Sequence, residues 1–424
     1  MEINWKKNTA LFMTGQALTF FGTMLAQYAV FWHVTLKSQS GTMMMLFTLI
    51  AFLPMFFISP FAGVWSDRFN RKYIINIADG AGALSSLIVA VLLMSGVTSY
   101  MVLFICSFMR SLAQGVQTPT VNAFIPQIVP QEHLTRINGI QTSINSFIML
   151  TAPMISAALM TFTSLQTLFL VDVATAAVGI SVMLSFVKIP AKARAEIEAA
   201  KLKDTAYLHD LKEGLRYIRN HGYVLRMITI TAFFCFLFSP ASFLTPLQVV
   251  RNFGDEVWRL SAIEIAFSAG MMFGGIFIGM WPGFKNRVHT MAAACLLCGI
   301  LCAALGLTPA FWPYMAIMAA VGLVCPYYNA TAMVLLQTTV EPVFMGRVLS
   351  VFTMVTSFLM PMGMLLFGPL ADKVSIDILL VITGLLVLFL AVPMITSKTL
   401  RAAGLKHLQS ESDTDTPKIL DPVS

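Results

Sequence analysis

The chain has 424 residues, of which 57% are hydrophobic and only 11% charged, and its formal net charge is +7. A soluble domain carries roughly 25% charged residues, so this chain cannot cover itself with a polar surface and a soluble globular protein is excluded. The six cysteines all fall inside apolar runs, where they read as small buried thiols rather than as redox or metal centres.

An apolar run of about 20 residues crosses the hydrocarbon core as a helix, because lipid leaves the backbone to satisfy its own hydrogen bonds. Such runs lie near 9–34, 42–65, 73–96, 99–122, 139–161 and 166–187, then near 224–248, 259–281, 289–307, 311–335, 347–370 and 376–396. The expected class is an all-α polytopic membrane protein with twelve transmembrane helices in two six-helix halves. The halves are expected at 1–187 and 224–398, joined by a polar linker at 188–223 and followed by a disordered tail at 399–424. The first run is too long for a cleavable leader and lacks its small-residue cleavage site.

In chain order, the first span carries Gln16, Thr19, Thr23 and Gln27 as one polar stripe. A stripe facing lipid is unfavourable, so it faces a central cavity or serves as polar glue between helices. The stretch FAGVWSDRFNRK then packs Asp67, Arg68, Arg71 and Lys72 between two apolar runs, with Gly63 just before them. Asp79 falls within the third span, about 10 Å in at 1.5 Å per residue. The fourth span holds Arg110, with Gln114 and Gln117 on the same face. The fifth has a second polar stripe, Asn138, Thr142, Asn145 and Met149, followed by Pro153.

Asp172 in the sixth span and Glu264 in the eighth lie one to two turns from the span ends. Asp172 reads equally as a capping acid, and Glu264 as an interfacial acid paired with Arg259 or Arg251. Charges inside a membrane are costly and are functional candidates by default. Loss of water favours the neutral form of such an acid, whereas a nearby guanidinium favours the carboxylate. An acid pulled both ways in alternating states takes up a proton on one side and releases it on the other. Asp79 with Arg110 is the pair expected to do so.

Leu208, Leu211, Leu215 and Ile218 in the linker recur at helical spacing, as for an amphipathic helix against the membrane or the bundle. The halves also echo each other: PTVNAFIPQIV has Pro119, Asn122 and Ala123, and PYYNATAMVLL has Pro326, Asn329 and Ala330. Arg136 and Arg347 precede the following spans, which carry Pro153 and Pro361. Sorting Lys and Arg among alternate loops, with the N-terminus inside, places 22 inside and four outside. Both termini are therefore expected in the cytoplasm.

The loop Gly63-x-x-x-Asp67-Arg68-x-x-Arg71-Lys72 resembles the signature loop between the second and third helices of the major facilitator superfamily. Its later counterpart has Gly279 and Arg287 but Gly283 where the acid would stand. The resemblance implies that Gly63 permits close helix packing, and that Asp67 meets a helix terminus or an Arg. The bases would hold neighbouring helix ends, as a latch that breaks between access states. The same loop, RSLAQGVQTPTVNAFIPQIVPQEHLTRING, LFLVDVATAAVGI, LHDLKEGLRYIR and SAIEIAFSAGMMFGGIFIGMW resemble drug exporters of the macrolide-efflux branch. Ala152-Pro153-x-x-Ser156-Ala157 is similar to the antiporter motif of the fifth helix, with Pro153 as its hinge.

The resemblance implies proton-coupled export of a small amphipathic drug, most of all a macrolide, across a bacterial cytoplasmic membrane. Arg110, Asp79, Asp172 and Glu264 would carry the proton, and Gln16, Thr19, Thr23, Gln27, Gln114, Gln117 and Asn145 would line the substrate cavity. The proton gradient replaces any cofactor, and a monomer is the expectation. An exporter of another antibiotic or a siderophore, a nutrient importer and a membrane receptor stay as rivals. No phosphate loop points to ATP, the six His lack metal-ligand spacing, and no module points to nucleic acid.

Overall fold

The computed structural model describes residues 4–188, 207–281, 283–341 and 344–397. The side chains of Asp67, Arg68, Leu208 and Leu211, residues 189–206 of the expected linker and the whole expected tail lie outside the described residues. The described elements are helical: α1 Trp5–Ser38, α2 Gly41–Arg68, α3 Arg71–Met94, α4 Tyr100–Ile128, α5 Leu134–Phe162 and α6 Leu165–Phe186. After these come α7 Tyr207–Asn220, α8 Gly222–Phe243, α9 Thr245–Phe253, α10 Val257–Met280, α11 Arg287–Leu307, α12 Phe311–Thr339, α13 Met345–Leu370 and α14 Ile376–Thr396. Eleven spans among the described residues are long and apolar enough to cross a membrane, with α8 and α9 forming one of them. The twelfth long helix, α4, has 29 residues but carries Arg110, Gln114 and Gln117. The chain is a multi-pass membrane protein of twelve spanning helices.

Polar residues between the apolar runs set the helix starts. The Asn4, Ser40, Asn70, Asn286 and Ser375 side chains each accept a backbone N–H from the following turn, which satisfies donors that a helix leaves unpaired. Asn70 and Asn286 occupy the same place in the two copies of the signature loop, so α3 and α11 begin alike.

By contact the chain divides into two units, residues 1–204 with 246–265, and residues 205–245 with 266–424. The first unit thus takes in a segment of the second sequence half. In it, Arg251 Nη2 donates to the Gln39 carbonyl at 2.7 Å, where Gln39 closes α1 at φ 46°. In the second unit α7 packs on its own bundle. Tyr217 stacks on Phe344 with ring centroids 4.7 Å apart, its hydroxyl accepts from the Glu341 N–H at 3.3 Å, and Glu213 pairs with Arg347 at 2.8 Å. Ile218 is buried as its spacing suggests, but Leu215 is 48% exposed, because the packed face turns on Tyr217.

The repeat holds at the level of packing. In the register of the P-x-x-N-A copies, Gly115 of α4 corresponds to Gly322 of α12. A Cβ on Gly115 would lie 2.8 Å from the Met55 backbone of α2, and one on Gly322 would lie 2.1 Å from the Phe267 carbonyl of α10. Both glycines let two helix backbones touch. Trp5 stacks on His133 ahead of α5 at 4.7 Å, as Tyr217 does on Phe344 ahead of α13.

Candidate functional site

Four helices of the first unit bring the buried polar groups together. Close backbone approach comes first: a Cβ on Gly22 of α1 would stand 3.1 Å from the Asp172 Cα of α6. At that separation the short Asp172 and Thr23 side chains meet, with Thr23 Oγ1 3.4 Å from Asp172 Oδ1. From α4, Arg110 reaches into the same space. Its Nη1 donates to Asp172 Oδ2 and to the Ser86 hydroxyl, and its Nη2 donates to the Thr23 carbonyl at 2.8 Å. Ser86 in turn donates to Asp172 Oδ2 at 2.7 Å. The pair is almost closed to solvent, with side chains 12% and 3% exposed. A buried guanidinium is tolerable only with such compensation.

Asp79 is therefore not the partner of Arg110, contrary to the expected pairing. Arg110 lies nearer the level of Asp172, and α1 supplies what Asp79 binds. Gln16 Nε2 donates to Asp79 Oδ2 at 3.2 Å, and Gln117 Nε2 donates to Gln16 Oε1 at 2.8 Å. Asp172 is no helix cap either, since Ser164 precedes α6 and Asp172 lies seven residues inside. Ser86 is a participant that the sequence reading missed. It lies two helical turns beyond Asp79 on α3, and that spacing was the available signal.

The cavities follow the polar side chains. One of about 40 Å³ is shared by Thr19, Thr23, Asp79, Arg110, Gln117 and Asp172. A second, of about 20 Å³, touches Thr23, Gln27, Arg110 and Gln114. Both contain polar groups and are roomy enough for water. A third, of about 260 Å³, is lined by Gln16, Gln114, Gln117 and Asn145 together with Phe12 and Phe20. No ionisable side chain lines it among the described residues. Thr19, Thr23 and Gln27 belong to the smaller two cavities, so the expected substrate residues divide between different spaces.

Glu264 on α10 stands apart and makes no hydrogen bond or ion pair among the described residues. Arg259 is held instead by Glu256 at 3.0 Å. Around the signature loop, Arg71 donates to the Ser66 carbonyl and to the Ala123 carbonyl of α4, both at 2.8 Å. Lys72 Nζ donates to the Leu184 and Val187 carbonyls at 2.9 and 2.7 Å. Both bases thus hold ends of neighbouring helices, as cations do well at carbonyl-rich C-termini. Gly63 does not serve close packing among the described residues, where a Cβ would meet nothing within 4 Å. At the later copy Gly283 has φ 97°, and a Cβ would strike Thr290, so an acid there would be strained. Pro153 lies inside an unbroken α5, where Ala152 and Ser156 are fully buried and Ser156 donates to the Leu25 carbonyl of α1 at 3.0 Å.

A family model described as Major Facilitator Superfamily matches residues 12–364. Macrolide efflux protein A of Streptococcus pyogenes is 28% identical over 397 residues, covering 92% of this chain and 96% of that protein. The protein of the same name from Enterococcus faecalis is 28% identical over 329 residues, covering 77% of this chain and 100% of that protein. Among solved structures, a bacterial homologue of the iron transporter ferroportin, in an inward-facing state, superimposes with a TM-score of 0.69. It is 13% identical, and the match covers 94% of this chain and 100% of that one.

Proposed function

Because the chain belongs to the Major Facilitator Superfamily, as a membrane transporter, we propose that it exports macrolide-like amphipathic drugs in exchange for protons across a bacterial cytoplasmic membrane. The observation that carries this reading is the Arg110–Asp172 pair buried beside Asp79 and a mixed amide and aromatic cavity. The two macrolide efflux relatives support the substrate class.

The chemistry runs through competition for one carboxylate. Protonation of Asp172 removes the charge that compensates Arg110, so the guanidinium must seek other partners, and Ser86 and the Thr23 carbonyl are already within reach. A buried pair that loses one charge is costly, which drives the helices bearing it to a second arrangement. Asp79 shares the 40 Å³ cavity with the pair, and water there would relay a proton between the two acids. Glu264, without a hydrogen-bond or ion-pair partner among the described residues, is a further proton acceptor. Arg71 and Lys72 hold the inner ends of α4 and α6 in one access state and release them in the other, and Pro153 gives α5 its hinge.

Uptake of labelled erythromycin by sensitive bacteria tests the reading. Cells with the wild type should accumulate less drug than control cells. A protonophore, Asp172→Asn or Asp79→Asn should each restore accumulation. Unchanged accumulation with well-expressed wild type would remove the macrolide assignment.

A further inference from the structure

The Gln16 and Gln117 carboxamides stand between a buried acid and the largest of the three cavities, and a carboxamide has a donor end and an acceptor end. With Asp79 accepting at Oδ2, Gln16 must present Nε2 to it and Oε1 to Gln117. Gln117 then spends Nε2 on Gln16, and its Oε1 is left for whatever occupies the cavity that Gln117 lines. The orientation of each amide is dictated by the one before it.

We infer that Gln16 and Gln117 form an amide relay that reports the protonation of Asp79 to the substrate cavity by reversing the hydrogen-bonding polarity of its wall. A proton bound to Asp79 Oδ2 turns that oxygen from acceptor to donor. Gln16 then rotates to offer Oε1, which turns its Nε2 toward Gln117. Two donors cannot face each other, so Gln117 rotates as well, and its Nε2 replaces Oε1 at the cavity. The wall reads hydroxyl and ammonium donors while Asp79 is a carboxylate, and rejects them once it is protonated. Donor-bearing amphiphiles and protons therefore exclude each other without touching, which is the requirement of exchange.

Other charges around Asp79 leave this relay in place. From α4 Arg110 and from α6 Asp172 face the same small cavity, but they are paired with each other. The α1 helix contributes Gln16, Thr19 and Thr23 to this space and no titratable group.

The inference rests on the proposed export of donor-bearing drugs for its substrate class, but not for the relay itself, and two measurements separate them. The first is an infrared pH-difference spectrum of the ligand-free protein with its glutamine side chains labelled with carbon-13. The carboxyl band of Asp79 and a shift of labelled amide bands should titrate together, and Asp79→Asn should remove both. A carboxyl band without an amide shift, or no Asp79 band at any pH, overturns the relay. The second is binding of erythromycin to the purified protein across pH. Affinity should fall about tenfold as Asp79 gains its proton, within the usual range of coupling between sites. Gln117→Leu should flatten that dependence while the carboxyl band persists, and wild-type pH dependence in Gln117→Leu would overturn the relay. An amide shift with no erythromycin binding at any pH would remove the macrolide reading and leave the relay standing.

Discussion

The interiors of the two sequence halves differ sharply although their frameworks correspond. In the register of the P-x-x-N-A repeat, Arg110, Gln114 and Gln117 of α4 match Ile317, Val321 and Val324 of α12. In the register of the signature loop, Asp79 of α3 matches Cys295 of α11. The glycine contact of α4 has its counterpart in α12, and so does the Asn cap of α3 in α11. Where the first half holds an ion pair and an amide chain, the second holds buried Cys295, Cys298 and Cys302 and a Tyr328–Phe234 stack at 3.8 Å. The comparison teaches that α3 and α4 share backbone contacts with their counterparts α11 and α12 but keep the buried charge to themselves. The ion pair and the amide chain lie in the first half, and Glu264 is the intramembrane acid of the second.

The strongest way to break that comparison is to unbalance the charge. Asp172→Asn should destabilise the protein by about 3–5 kcal/mol, the cost of a buried charge left alone, seen as a lower midpoint of thermal unfolding in detergent. Adding Arg110→Gln should recover most of the midpoint but no drug export. Unfolding of Asp172→Asn at the wild-type temperature would mean that the pair is not a structural commitment. Placing a charge in the other half is the converse. Ile317→Arg puts a charge where α12 carries an apolar residue and should cost about 2.5–3.5 kcal/mol of insertion, measured as the yield of folded, membrane-inserted protein.

The framework is predicted to be equally sensitive in both copies. Gly115→Leu and Gly322→Leu each push a side chain into a neighbouring helix backbone, and each should cost about 1–3 kcal/mol or more. A large difference between their unfolding midpoints would show that the repeat is not energetic. The smallest effect is expected at Cys295→Ala. It removes a weak thiol hydrogen bond to the Val387 carbonyl at 3.3 Å, should cost about 1 kcal/mol, and should leave erythromycin accumulation at the wild-type level. Loss of export there would assign chemistry to α11.

The twelve spans and the intramembrane charges were legible by themselves, for a simple reason. Lipid admits only long apolar helices, so each span declares itself by length, and each charge stands out against its surroundings as Arg110 and Asp172 do. Periodicity also put Gln16, Thr19, Thr23 and Gln27 on one face, since helical spacing is local. Partnership was not local. Arg110 chose Asp172 over Asp79 because Gly22 lets α1 lie directly on α6, and that contact joins residues 150 positions apart along the chain. Ser86 joined the pair, and Gln16 and Gln117 found each other, for the same reason. Gly63 looked like a packing residue, but whether a neighbour comes close is decided by the neighbour's path. The sequence determined which groups are buried, and the tertiary structure decided which of them touch.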